Sequence, residues 1–565
     1  MKFKYKILSI LLMTISILSL SSCLLLLDET SPLPNEGFTS YQTKIMEDTF
    51  GMVVPFLENH SYSFKNTYNE DLTMTYSVNY VNEAEYSTYL QKYEEYNLIG
   101  TRSSFVDNYR TYFDTKTYTY MDLVFGAKSL KVYMYHRGSI DYYDTYYTNV
   151  NHPMKDLPDD YNMRDAKYSS VMDLSGYNHF CPTKGDIKIL VLPVYFSDYP
   201  KNNNFTNKTL EDALESKNLS PYPSLKEYYN KSSYGKLNLS FTIPNTWYEA
   251  SHNSKYYDSS DRISSLVESA LQYYDNSYDY KDFDSDNDGA IDGIILVHTI
   301  PSSTNLDLSW PATRNNVNEN YNGTRNTFDN KYAYRFFHIN TDQIYTQSKD
   351  YKKEINSYTL IHEFGHMIGL DDYYDTNYTE RTFLAPLDGH DVMDAEYTDQ
   401  DAFSKLILGW ISTPKFIKET CEITLSSFEE TGDIAIISNN FDETQGVFQE
   451  YYIIVYNSGT NLNKYSETLN KEGIIIYHVD GSLYTFDTGE TICNYNNDQA
   501  GYYSERFNLI EFAKKDYNPY IFEGKEGSAS LDLIDNNGLS LKFSLESSSI
   551  LESDNEVSLK ITIEQ

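Results

Sequence analysis

Residues 361–372 (IHEFGHMIGLDD) combine a short apolar helix with a glycine stop, and this geometry constrains whatever packs around it. His362 and His366 are four positions apart, so both imidazoles leave one helical face a turn apart and can bind one metal. Glu363 is rotated off that axis, where it can act on water instead of serving as a ligand. Gly369 allows a left-handed or otherwise restricted backbone that brings a third ligand back within three residues. The spacing favours Asp372 for that role over its neighbour Asp371. Two histidines and one carboxylate leave open the fourth position that zinc-dependent hydrolysis requires. A bare HExxH also fits an ordinary buried helix. The glycine seven residues after His362 and the carboxylate ten after it separate this stretch from chance.

At 565 residues the chain has room for three or four domains. Its net charge of −37 argues against nucleic-acid partners, because a surface of that sign repels phosphate, and favours cations. Lys2, Lys4 and Lys6 precede an apolar run over 7–20, too short for a comfortable membrane span, which reads as an export signal. It ends in LSSC at 20–23, which resembles a bacterial lipobox. That resemblance implies cleavage before Cys23 and a lipid on its sulfur that tethers the chain to a membrane, with a plain secretory peptide as the alternative. Cys181, Cys421 and Cys493 remain, and no disulfide framework follows from three scattered cysteines. A Cys421–Cys493 bridge stays open, as does a latent form in which the Cys181 thiolate occupies the open metal position.

Alternation over 72–81 predicts a strand, helical spacing over 83–97 a helix, and 118–124 and 130–135 two more strands. Together these make a small α+β module without a catalytic constellation, followed by a linker over 143–180. The continuous apolar run IKILVLPVYF (187–196) predicts a central strand buried on both faces. Helices around 224–231 and over 261–274, with a strand over 238–243, extend an α/β pattern. DFDSDNDGAIDG then places Asp284, Asp286, Asp288 and Asp292 at loop positions one, three, five and nine, with Gly289 at the turn. That is calcium-loop spacing, to which Ala290 adds a backbone carbonyl. Position twelve is Ile295, so this is no EF-hand, and the predicted role is structural. Beyond Trp310 the chain reads as a long, poorly periodic loop up to the histidine helix. Met393 follows in a turn, then a helix ending at Gly409 and Trp410. Runs over 451–456, 473–479 and 539–545, with a turn at 536–538, predict one or two β-sandwich-like units. His478 and Asp480 read as a surface pair.

HEFGHMIGLDDYYD, DVMD, KLILGW, SLKEYYNKSSYGKL and DSDNDGAIDG together resemble the immune inhibitor A family of bacterial zinc metallopeptidases, which is metzincin-like. The likeness covers about 187–410, extends weakly beyond 421 through EYYIIVYN and EGIIIYHVDG, and leaves the N-terminal module uncovered. It implies a secreted or surface-anchored endopeptidase acting on extracellular proteins or peptides. His362, His366 and Asp372 would hold catalytic zinc, Glu363 would serve as general base, and Met393 would support the site from beneath. Calcium would be structural. The expected organisation is multidomain: a lipoprotein signal peptide over 1–22, a tether over 23–40, an N-terminal α+β module and linker over 41–180, an α/β metzincin-like zinc peptidase domain over 181–412, and a C-terminal β-sandwich-like region over 413–565. The alternative is a non-catalytic surface binding lipoprotein, an adhesin that retains a peptidase fold. An intact general base argues against that alternative.

Overall fold

The computed structural model describes residues 38–136, 148–149 and 180–564, apart from short internal stretches of which 315–326, 375–385, 442–448, 493–507 and 548–554 are the longest. The expected signal segment, Cys23, the linker over 150–179, Cys493 and the turn at 536–538 lie outside the described residues. The chain divides into two compact units, Met1–Tyr143 and Asp144–Gln565. Among the described residues no helix is long and apolar enough to cross a membrane.

In the first unit, α1 (Ser40–Phe50) precedes β1 (Ser63–Thr67) and β2 (Thr73–Asn79), and α2 (Glu83–Gln91) leads into β3 (Asn97–Ser103), β4 (Asp107–Asp114), β5 (Thr119–Gly126) and β6 (Ser129–His136). The strands form one antiparallel sheet in the order β1-β2-β6-β5-β4-β3. Alternation places Met121, Leu123, Leu130, Val132 and Met134 on one face, packed with Met46 and Phe50 of α1 and Tyr86 and Tyr89 of α2. A capping box starts α2: the Asn82 side chain accepts from Ala84 and Glu85 N–H, and Glu85 accepts from Asn82 N–H. The helix ends at Gln91, not at 97 as its spacing predicts. Asn97 is taken into β3 opposite Phe113, so sheet pairing overrides helical periodicity there.

The second unit begins with β7 (Thr148–Asn149) and is built around β8 (Gly185–Tyr195). Then come α3 (Asn207–Glu215), α4 (Leu225–Ser232), β9 (Leu237–Thr242), β10 (Tyr248–Glu249), α5 (Ser260–Tyr274), β11 (Ile294–His298), β12 (Ala312–Arg314), β13 (Thr327–Phe328), β14 (Lys331–Tyr332) and β15 (Phe336–Asn340). β8, β11 and β15 run parallel at the centre, β9 and β10 pair with β8, and β12 closes the sheet as an antiparallel edge. Along β8, Ile187, Ile189 and Val191 enter one core and Leu190, Leu192 and Val194 the other, which accounts for the unbroken apolar run. The stretch after Trp310 is therefore not a featureless loop. It supplies the edge strand, a hairpin and the inner strand β15. In FFHIN, His338 and Asn340 are fully buried, and these polar residues conceal the strand in the sequence.

After the hairpin of β16 (Tyr345–Gln347) and β17 (Lys353–Ile355) come α6 (Tyr358–Met367), which carries the histidines, and α7 (Ala402–Ile407). The rest of the unit comprises β18 (Lys415–Ile417), β19 (Cys421–Ser426), the short α8 (Phe428–Thr431), β20 (Ile434–Ile437), β21 (Glu450–Asn457), β22 (Gly473–Asp480), β23 (Tyr484–Thr485), β24 (Thr491–Ile492), β25 (Ile510–Phe512), β26 (Tyr520–Glu523), β27 (Gly527–Ile534), β28 (Ser540–Ser547) and β29 (Glu556–Ile563). One sheet is ordered β18-β20-β21-β22-β25 with β26 also on β22, a second β19-β29-β28-β27, and a third, small one β24-β23-β7. Ile454, Tyr456, Ile474 and Ile476 face Phe543, Leu545, Leu559 and Ile561 across the gap between the first two sheets. From the opposite face Ile453, Val455, Ile475 and Tyr477 join the core of α6, α7 and β8. The 412/413 position expected as a domain boundary thus has a single apolar core running across it.

Candidate metal centre

Gly369 ends α6 with φ +105°, a conformation open to glycine, and Leu370 N–H returns to Gly365 C=O at 2.9 Å. The chain then turns back and brings Asp372 to the histidine face. Asp372 Oδ1 lies 3.0 Å from His362 Nε2 and 3.3 Å from His366 Nε2. These three residues each offer a ligand atom within 4.8 Å of one another, and Asp371 is not in the group.

The other ring nitrogens settle how this cluster can be used. His362 Nδ1 donates to Val392 C=O at 2.8 Å and His366 Nδ1 to Leu370 C=O at 2.7 Å. A carbonyl can only accept, so each neutral ring carries its proton on Nδ1 and turns the Nε2 lone pair towards Asp372. Two lone pairs against a carboxylate oxygen repel unless a cation lies among them. A divalent metal fits that donor set, and in its absence a proton must serve. Burial opposes a charge on His366, but the bond to Asp372 outweighs it and holds the imidazole up at about 9. Burial likewise opposes the Asp372 charge, yet the two histidines that face it hold its carboxyl well below the usual range.

Glu363 sits beside the cluster, almost fully buried. Its carboxyl is raised by burial, and His366 and His362 offset part of the effect. Thr313 of edge strand β12 holds the Glu363 side chain, donating to its Oε2 at 3.2 Å. Beneath the helix, a Cβ built on Gly365 would fall 2.4 Å from Met393 Sδ, so the glycine inside HEFGH is what admits the methionine. Tyr229 donates to Ile361 C=O at 2.7 Å, and the buried Arg335 donates to His366 C=O at 2.7 Å. Thr313, Arg335 and Asp391, which bonds Met393 N–H at 2.7 Å, went unnoticed in the sequence. Each comes from a remote segment, and only DVMD offered any motif to find one by.

At the acidic loop Asp284, Asp286 and Asp292 converge closely enough to hold a cation. Asp288 does not join them. Its carboxylate folds back to accept from Ala290 N–H at 2.9 Å, because a left-handed Asn287 and Gly289 tighten the turn. Ala290 is buried and bridges to Tyr332 of β14, and Lys331 places its ammonium on Asp284. A cation held there would share the Asp284 carboxylate with that ammonium or compete for it.

Cys181 is buried in the core, its N–H bonded to Met367 C=O, and it is not grouped with His362, His366 and Asp372. Cys421 is a free thiol. His478 and Asp480 are not a surface pair: both are buried where β22 packs between its neighbours. His478 Nε2 meets Glu450 at 2.8 Å and Nδ1 meets Glu511 at 3.2 Å, so the ring donates to two carboxylates and leaves no lone pair for a metal.

Compared with known proteins, the chain matches no family model and no curated protein sequence.

Proposed function

We propose that this chain is an exported, surface-anchored zinc metalloendopeptidase of the immune inhibitor A type, hydrolysing extracellular proteins or peptides. The observation that carries the proposal is the convergence of His362 Nε2, His366 Nε2 and Asp372 Oδ1 beside a buried Glu363 that is not itself a ligand. His362, His366 and Asp372 would hold the metal. When bound, zinc supplies the Lewis acidity that activates water and polarises a scissile carbonyl. Glu363 takes the proton from the attacking water and delivers it to the departing amine. Its raised proton affinity suits a group that must both accept and release a proton near neutral pH. Thr313 holds one carboxylate oxygen of Glu363, which orients the other for that transfer. Met393, seated against Gly365, keeps the helix at a fixed height. Structural calcium at Asp284, Asp286 and Asp292, and a lipid on Cys23, complete the proposal.

Glu363→Ala should keep its zinc and lose casein hydrolysis by about 10²-fold or more. Cleavage at the wild-type rate by that variant would refute the mechanism. Zinc bound by the wild type without any hydrolysis, even after the N-terminal module is trimmed away, would favour the binding-protein alternative.

A further inference from the structure

We propose that Asp391 is a positioning residue for the metal site, acting through two backbone carbonyls that hold the ligands. The inference rests on the metal assignment above and extends it to a residue that touches no ligand side chain. Asp391 is 1% exposed in a turn without regular structure, where a carboxylate is costly to bury unless its oxygens are bonded. Both are. Oδ1 accepts from Met393 N–H at 2.7 Å, and Oδ2 accepts from Asp401 N–H at 2.7 Å. Asp401 in turn caps α7, accepting from Phe403 and Ser404 N–H. The Asp391 carbonyl also accepts from Asp394 N–H at 3.0 Å and Glu396 N–H at 3.2 Å. One residue therefore closes the turn on itself and fastens it to the start of a helix.

The two peptide units enclosed by those bonds are the ones that face the metal ligands. Val392 C=O accepts from His362 Nδ1 at 2.8 Å and so sets that ring's tautomer and direction. Met393 C=O accepts from Tyr373 N–H at 2.7 Å, which fixes the chain one residue beyond Asp372. The first and third ligands are thus aimed by successive carbonyls of a turn that Asp391 braces. Asp394 provides an internal comparison. It is equally buried in the same turn, but its carboxylate accepts from Gly389 N–H at 2.8 Å, ahead of the two carbonyls.

The test is metal binding by the full chain stripped of metal, with Co²⁺ as titrant, read from affinity and from the visible absorption bands. The thermal midpoint of each metal-free variant is measured alongside. Asp391→Asn retains the shape but sets an amide NH₂ against one of the two N–H donors. Asp391→Ser retains an acceptor for Met393 N–H alone. Both should weaken Co²⁺ binding by about 10- to 100-fold and alter the absorption bands, while Asp394→Asn binds as the wild type does. Wild-type affinity and spectrum in either folded Asp391 variant would overturn the inference, as would an equal loss in Asp394→Asn. Wild-type protein that takes up no Co²⁺, or that binds it as well after His366→Ala, would overturn the metal assignment itself and this inference with it.

Discussion

At the scale of single residues, the metal proposed for the α6 cluster would exchange with one proton. Without metal, His366 carries the proton that separates its ring from Asp372, and it holds that proton up to about pH 9. A metal that takes the same position must expel it. At pH 7.5, metal uptake should therefore release close to one proton from His366, seen as a binding enthalpy that changes with the ionisation enthalpy of the buffer. Release should fade as pH rises past 9. Enthalpies that coincide across buffers at pH 7.5 would show that no such proton is held. The histidines and Glu363 were legible because helical spacing is a local property: residues four apart share a face whatever surrounds the helix. Asp372 was favoured over Asp371 on spacing, and the structure brings Asp372 to both rings. Loop spacing says which carboxylates lie near the turn, and the fold adds that Asp288 accepts from the Ala290 N–H of its own turn.

Among elements, α7 turns a lysine into the interior. Lys405 Nζ lies 2.6 Å from Asp399 Oδ2, with both side chains essentially inaccessible, and it also sits over the rings of Tyr234 and Phe428. Lys405→Met would leave the Asp399 charge buried without its ammonium and should cost about 3–5 kcal/mol, measured by denaturant unfolding. A loss below about 1 kcal/mol would mean that Asp399 is neutral or hydrated there. A second buried pairing joins three strands of the sandwich. For His478, burial lowers proton affinity, but the bonds to Glu450 and Glu511 outweigh it and hold the ring up at about 9, whereas the free ring titrates near 6.5. Burial also pushes Glu450 up to about 7, with Asp480 adding to the rise and His478 opposing it. Both folded-state values are raised, so both contributions favour the fold at low pH and fade as pH rises. The His478 contribution is complete below about 6.5 and gone above about 9. The thermal midpoint of the wild type should fall across that window, and His478→Gln should flatten the fall. Parallel curves for the two proteins would exclude the assignment. The sequence placed His478 at a strand end and so suggested the surface. What buries it is the packing of β21 and β25 on either side of β22, pairings separated by about thirty residues in each direction.

For the molecule as a whole, the consequential feature is the apolar core shared between the β8 sheet and the sheet of β20, β21 and β22. Ile453, Val455, Ile475 and Tyr477 pack into the same cluster as Phe364, Met393 and Phe403. A chain ended at residue 412 would expose that surface. At about 25 cal/mol per Å² of apolar area, each large side chain left uncovered forfeits about 1.5–3 kcal/mol, and a handful suffices to exceed the stability of a typical domain. Such a truncated chain should show no cooperative unfolding and rapid digestion by trypsin. A protease-resistant, cooperatively melting product would establish an independent domain after all. By itself the sequence determined those features whose cause is local: the histidine spacing on α6, the glycine that ends it, the turn that gathers acidic residues, and the short, continuous apolar runs that suit strands buried on both faces. Tertiary structure alone decided the rest. Thr313 reaches Glu363, Asp391 accepts from the N–H groups of Met393 and Asp401, β15 hides His338 and Asn340 in an inner strand, and the two sheets share one core. Each of these depends on which distant backbone groups and side chains meet, and spacing along the chain carries no record of that.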